Sequence, residues 1–97
     1  MVKKEYTYKE MKEKIDRVIR DQFVFPEYEP IEPTATFEDT FGADSLDAIC
    51  VVLNLETEFM INIDDEDIGP IKTVQDVYDY ISKRITIKKE SNNEQEN

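Results

Sequence analysis

The sequence predicts an all-α domain, a small four-helix bundle with three main helices, one short helix and a long loop after the first helix. Two observations predict this fold class. Three segments carry apolar residues at helical spacing behind a capping residue, and three prolines within eight residues interrupt the chain after the first of them. A chain of 97 residues has room for one domain, whose small core must be built from short elements.

The first helix is predicted to open at Thr7, because Glu10 follows at the spacing of a capping box. The apolar residues behind this cap recur at helical intervals and are Met11, Ile15, Val18, Ile19 and Phe23. Pro26, Pro30 and Pro33 then fix φ and restrict the residues before them, so the helix cannot continue. A long, extended, acidic loop is expected there.

The second helix is predicted to begin after the turn at Gly42, with Asp44 or Ser45 as its cap, and to run to about Phe59. Its predicted core face comprises Ala48, Val52, Leu55 and Phe59, with Val51 at the edge. A second apolar stripe, displaced by roughly a third of a turn, consists of Leu46, Ile49 and Leu53. A helix in so small a domain rarely buries two stripes. The second stripe therefore either packs against the long loop or has another role.

A short helical turn is predicted at residues 64–68, where acids lie at its positive end and Gly69-Pro70 stops it. The last helix is predicted to start behind the N-cap Thr73, with Asp76 three residues on. Its apolar residues at helical spacing are Val74, Val77, Tyr78 and Ile81.

These elements divide the chain into an N-terminal extension, residues 1–6, a folded domain, residues 7–84, and a polar C-terminal tail, residues 85–97. Residues 90–97 carry no side chain that could anchor to a core. We expect this tail to be disordered.

Charge is arranged in blocks. The net charge is −11, and the 51 residues from Asp21 to Ile71 contain no Lys or Arg but hold 14 of the 23 acids. Such a chain repels nucleic acid and anionic membrane surfaces. We therefore expect basic proteins or cations as partners, and neither nucleic-acid binding nor membrane insertion.

The chain has no histidine and one cysteine, Cys50. This composition excludes Ser/His/Asp and Cys/His nucleophilic catalysis and the usual zinc sites. It is consistent with a reducing compartment, and no apolar stretch is long enough for a signal peptide or a membrane span. We expect a soluble, cytoplasmic, monomeric protein that is not an enzyme.

Residues 41–47 place a serine behind a glycine turn, at a helix start, between two aspartates. Serine in that position is usually an N-cap. Here Asp44 is already a competent cap, and Asp47 three residues on completes a box. Ser45 would then occupy the first helical position, with its hydroxyl turned to solvent.

The run Gly42-Ala43-Asp44-Ser45-Leu46-Asp47 resembles the attachment motif of acyl carrier proteins, of the discrete bacterial fatty-acid type. The similarity extends through residues 34–37, 55–59, 63–66 and 71–77, and so covers about residues 12–83. The resemblance implies that Ser45 accepts 4′-phosphopantetheine from coenzyme A through a separate phosphopantetheinyl transferase. The arm would carry acyl groups as thioesters between enzymes of fatty-acid synthesis.

The resemblance also implies that partner enzymes grip the second helix. The residues matching that face are Leu46, Ile49 and Leu53, with Asp44, Asp47, Glu56 and Glu58 around them to meet basic residues on acyl-processing enzymes. An acyl chain would lie between the helices, lined by Val52, Leu55, Phe59, Ile63, Ile68, Val74 and Val77.

Three residues depart from the family pattern. Cys50 and Thr57 replace frequent acids, and Met60 stands where a polar residue is usual. They keep open a carrier for a specialised acyl or polyketide-type pathway. A less favoured alternative is an unmodified acidic module that binds proteins or divalent cations, the latter through residues 64–67, although these lack the ligand spacing of an EF-hand, and we predict no metal site.

Overall fold

The computed structural model describes residues 5–89, which form five helices and two short strands. In chain order these are β1 (Glu5–Tyr6), α1 (Tyr8–Phe23), α2 (Phe37–Phe41), α3 (Ser45–Phe59), α4 (Asp65–Ile68), α5 (Val74–Ser82) and β2 (Thr86–Ile87). The mostly helical small domain with three main helices is confirmed. Helix α2 and the two strands were not predicted.

The predicted capping boxes fix where α1 and α5 begin. At α1, Thr7 Oγ1 accepts from the Glu10 amide over 3.0 Å, and Glu10 Oε1 accepts from the Thr7 amide over 2.9 Å. The box of Thr73 and Asp76 does the same for α5, over 3.1 and 3.0 Å. Each box satisfies two amides that helical geometry leaves without partners.

The core lies where α1 packs against α3 and α5. The predicted inner faces of α1 and α5 are buried, except that Phe23 is only half-buried. On α3 the core direction is rotated from the expected one. Val51 is buried together with Leu55 and Phe59, whereas Ala48 and Val52 are half-buried.

The long loop is tied to the bundle at both ends. Arg20 donates to the carbonyl oxygens of Pro26 and Glu29, the latter over 2.8 Å. Ile31 is buried in the core. At the far end, the Phe37 amide donates to the Lys72 carbonyl over 3.1 Å, which fixes the start of α2 beside the start of α5.

The two ends of the folded region differ from the predicted extension and tail. Strands β1 and β2 pair in parallel, with Glu5 opposite Thr86 and Tyr6 opposite Ile87. The Tyr6 ring is buried and packs edge-on against Phe59, with 5.3 Å between ring centroids. Residues 5, 6, 86 and 87 therefore belong to the folded unit. The disorder expected for residues 90–97 concerns a segment outside the described residues.

Candidate functional site

A cluster of phenylalanine rings holds the segment that leads to Ser45. The Phe41 ring lies 5.2 Å from that of Phe23, 5.0 Å from that of Phe25 and 5.8 Å from that of Phe37. These contacts connect α2 to the end of α1. Gly42 then adopts φ 65° and ψ 28°, the left-handed conformation that glycine takes without strain. Helix α2 ends at this turn, and α3 begins three residues after it.

Two aspartates cap α3 and leave the serine hydroxyl free. Asp44 Oδ1 accepts from the Asp47 amide over 2.9 Å, and Asp47 Oδ2 accepts from the Asp44 amide over 3.2 Å. Ser45 is the first residue of α3 and is exposed. Its hydroxyl makes no hydrogen bond with any other residue in the range 5–89. The expected geometry of an accessible hydroxyl in the first helical turn is therefore present.

The start of α3 also suits a bound phosphate group. Within the part of the chain that the structure describes, the amides of Ser45 and Leu46 have no acceptor, and the helix dipole adds partial positive charge beside the hydroxyl. Lys72 lines the same surface groove as Ser45. Because helix N-termini and cations both favour anions, these residues fit a phosphodiester on Ser45.

The groove beside Ser45 runs over the wall of an apolar cavity. The cavity has a volume of about 70 Å³ and lies between α3, α4 and α5. The side chains that line both spaces are Ala48, Val52, Ile63, Ile68 and Ile71. Of the expected acyl-binding residues, Phe59 and Val74 do not line the cavity; they are buried elsewhere in the core.

The second apolar stripe of α3 is exposed. The exposed fractions are 70% for Leu46, 47% for Ile49 and 55% for Leu53. These side chains do not pack against the long loop as core residues would. Cys50 is also exposed, as expected from its position on the helix.

The four acids predicted around this stripe do not form one group. Asp44 and Asp47 lie beside Leu46 at the start of α3, where they form the cap. Glu56 accepts from the Ile63 amide over 2.7 Å, so it holds the loop after α3. Glu58 forms an ion pair with Lys14 of α1 over 2.7 Å and thus faces α1.

One wall of the cavity carries a polar cluster that the sequence analysis missed. Tyr80 lines the cavity and donates its hydroxyl to Asp67 of α4 over 2.8 Å. Burial and this hydrogen bond raise the pKa of Tyr80 above its ordinary value. Arg84 also reaches Asp67, over 3.1 Å.

Two further findings concern other classes of site. Between residues 5 and 89, no group of three or more cysteine, aspartate or glutamate side chains is placed to hold a metal ion. None of the described helices is long and apolar enough to cross a membrane.

Comparisons with known proteins agree with this geometry. The family model described as "Phosphopantetheine attachment site" matches residues 24–81. The chain is 40% identical over 77 residues to an acyl carrier protein of Thermosynechococcus vestitus, and this match covers 78% of the chain and 93% of the relative. It is 38% identical to an acyl carrier protein of Nitratidesulfovibrio vulgaris, over 76% of this chain and 96% of that one. A solved structure described as a putative acyl carrier protein from Mycobacterium tuberculosis matches with a TM-score of 0.71 and 32% identity, over 77% of this chain and 99% of the other.

Proposed function

This chain belongs to the acyl carrier protein family, a family of non-catalytic carriers with a phosphopantetheine attachment site, and we propose that Ser45 is the residue that carries the 4′-phosphopantetheine. The main support for this proposal is that residues other than Ser45 cap the start of α3. Asp44 and Asp47 do the capping, so the Ser45 hydroxyl is exposed and unbonded among the described residues.

The chain supplies the acceptor for the attachment and a partner supplies the catalysis. The Ser45 oxygen forms a bond to the phosphorus of phosphopantetheine, its proton passes to a base of the phosphopantetheinyl transferase, and the nucleotide half of coenzyme A leaves. The free amides of Ser45 and Leu46 then face the negative phosphodiester. When bound, the arm supplies a thiol that carries acyl groups as thioesters.

Intact-mass measurement tests the attachment. The protein is incubated with coenzyme A and a phosphopantetheinyl transferase. Wild-type protein should gain the mass of one phosphopantetheine, and Ser45→Ala should gain none. Ser82→Ala is the matched control, because the Ser82 hydroxyl already donates to the Asp79 carbonyl over 2.8 Å. Failure of wild type to gain mass, or a gain by Ser45→Ala, would overturn the proposal.

We further propose that Leu46, Ile49 and Leu53 form the docking face for partner enzymes, with Asp44 and Asp47 as the acids that meet their basic residues. The exposure of this stripe supports the proposal, since these side chains add little to the core. Complementary charge raises encounter rates and weakens with salt, which suits a carrier that must leave quickly. Glu56 accepts from the Ile63 amide and Glu58 pairs with Lys14. We keep both as proposed partner contacts beside Asp44 and Asp47, which are themselves joined in the capping box.

Truncation of Leu46 tests the docking face. Leu46→Ala should lower kcat/KM for modification by the transferase about tenfold, the effect of losing one central apolar contact, and leave the helical signal unchanged. Tyr28→Ala is the control, because Tyr28 is an even more exposed hydrophobic residue, on the long loop. An equal kcat/KM for both variants would move the interface elsewhere.

For the cargo, we propose acyl intermediates of fatty-acid synthesis, held with part of the chain in the apolar cavity. Apolar cavities stay dry and take up apolar molecules, which supports this use. Charging by the malonyl transferase and condensing enzyme of bacterial fatty-acid synthesis is the test. If neither enzyme accepts the protein although attachment at Ser45 is normal, a specialised acyl pathway is favoured. The residues that support this alternative are those that depart from the family pattern, Cys50, Thr57 and Met60. We propose the cytoplasm as the compartment, where the exposed Cys50 stays reduced.

A further inference from the structure

The cavity is too small for an acyl chain unless part of its wall moves. Its volume is about 70 Å³. In other protein cores, a cavity of about 150 Å³ is what takes up a molecule the size of benzene. Protein interiors are close-packed, so the extra space must come from displacement of a wall element and not from compression of neighbours.

Helix α4 is a weakly attached wall element compared with α3 and α5. It has four residues, none of them buried, and Asp64 makes no side-chain capping bond to it. Its Ile68 side chain lines both the cavity and the groove that starts at Ser45. In contrast, α3 and α5 both begin with complete capping boxes and both carry buried core residues. Movement of α4 therefore disturbs less of the fold than movement of α3 or α5 would.

Side-chain hydrogen bonds connect α4 to α5 and to Arg84 through one carboxylate. Asp67 Oδ2 accepts from the Tyr80 hydroxyl over 2.8 Å and from Arg84 Nη2 over 3.1 Å. The Arg84 guanidinium also lies over the Tyr80 ring, 4.5 Å from its centroid. Each of the three residues thus contacts the other two. Tyr80 is at the same time a wall residue of the cavity, so the cluster connects α4 directly to the cavity lining.

We propose that Asp67, Tyr80 and Arg84 form a latch that holds α4 against the cavity, and that release of this latch admits the acyl chain. The admission of the acyl chain rests on the proposed carrier function. The three are positioning residues that set how often the wall opens. Removal of the Tyr80 hydroxyl keeps the ring in the cavity wall but deletes the bond to Asp67. Opening of α4 should then become more frequent.

Hydrogen exchange on the unmodified protein tests the latch without any acyl group. The reporting amides are those of Asp67 and Ile71, which donate to the carbonyls of Asp64 and Ile68. In Tyr80→Phe their exchange should accelerate about fivefold relative to amides of α1, the effect expected from one lost hydrogen bond to a charged group that is partly exposed. Tyr78→Phe is the matched control, since its hydroxyl donates to Asp16 of α1.

Three outcomes would overturn the latch. These are an unchanged exchange ratio in Tyr80→Phe, an equal change in Tyr78→Phe, or Asp67 and Ile71 amides that exchange without protection in wild type. A second pair of variants tests whether the charge of Arg84 contributes to the latch. Arg84→Gln should act in the same direction as Tyr80→Phe, whereas Lys83→Gln removes an exposed charge one residue earlier in the chain and should leave the exchange ratio unchanged.

The cargo half is tested on protein carrying an octanoyl thioester. Hydroxylamine should cleave the thioester about threefold faster in Tyr80→Phe than in wild type, because a more open wall leaves the chain less sheltered. If the thioester is cleaved equally fast in Tyr80→Phe and wild type although amide exchange differs between them, the latch does not control the cargo. Inability of wild type to take up the arm would instead refute the proposed attachment, while the exchange result would still decide whether the latch exists.

Discussion

The strand pair at the chain ends should contribute measurably to stability, and Tyr6→Ala tests how much. Tyr6 is only 5% exposed and packs against Phe59. A buried tyrosine removes about 200 Å² from water, which at about 25 cal/mol per Å² gives roughly 5 kcal/mol as an upper bound. A compact unfolded chain lowers this to about 4 kcal/mol. Release of residues 5 and 6 recovers about 1 kcal/mol of entropy each, so the expected net loss is about 2 kcal/mol.

Urea unfolding followed by circular dichroism measures this loss of free energy of unfolding. In a thermal scan the same loss corresponds to a fall in Tm of about 10 °C for a domain of this size. Tyr28→Ala is the matched control, because the same side chain is removed from a position that is 87% exposed. It should change the free energy of unfolding by less than about 0.5 kcal/mol. If Tyr6→Ala also stays within that range, the strand pair is not part of the cooperative unit and the domain ends where the helices do.

Three further changes have expected outcomes in the same unfolding assay. Val24 is a β-branched residue with a positive φ of 51°, which strains its backbone, and at 86% exposure its side chain gains little packing energy to offset this strain. Val24→Asn should therefore stabilise the protein by about 1 kcal/mol. Gly42→Ala should destabilise it by about 1 kcal/mol through the positive φ alone, because a Cβ there would meet no atom within 4 Å. The amides of Lys72 and Thr73 hold the pKa of Asp76 below its ordinary value of 3.8, so its stabilisation is complete above that pH and is lost as the pH falls through the lowered pKa. Asp76→Asn should therefore destabilise the protein at pH 7, with a difference from wild type that shrinks towards pH 3.

Main helices could be predicted because their signals are local. Residue pairs such as Thr7 and Glu10 sit three positions apart, and the apolar residues behind them repeat over several turns. Helix α2 has five residues, too few for a period, although Thr36 caps it through the Asp39 amide in the same way. Strands of two residues have no pattern at all, and β1 and β2 pair across almost the whole chain.

The direction in which a side chain points on a helix was less predictable. The spacing on α3 identified two apolar stripes, but which of them the neighbours cover is set by packing between elements distant in sequence. The result is that Val51 is buried, whereas Val52 is half-buried and lines both the cavity and the groove. The position of Glu58 depends in the same way on Lys14, 44 residues earlier. The exposed position of Ser45 at the start of α3 was predictable because its environment is made by its neighbours in the chain.

The two sides of the groove beside Ser45 differ in how firmly they are held, and a carrier needs that difference. Under the proposed attachment, a transferase would have to find the Ser45 hydroxyl in one place, and Phe41, with three ring contacts, fixes the turn before it. Under the proposed latch, cargo would enter and leave the cavity past α4 on the opposite side, which has no buried residue and no side-chain cap. Had the capping been reversed, with Ser45 as N-cap, its hydroxyl would have been committed to an amide of α3. The aspartate before the serine is thus what allows a rigid helix start to carry a free nucleophile.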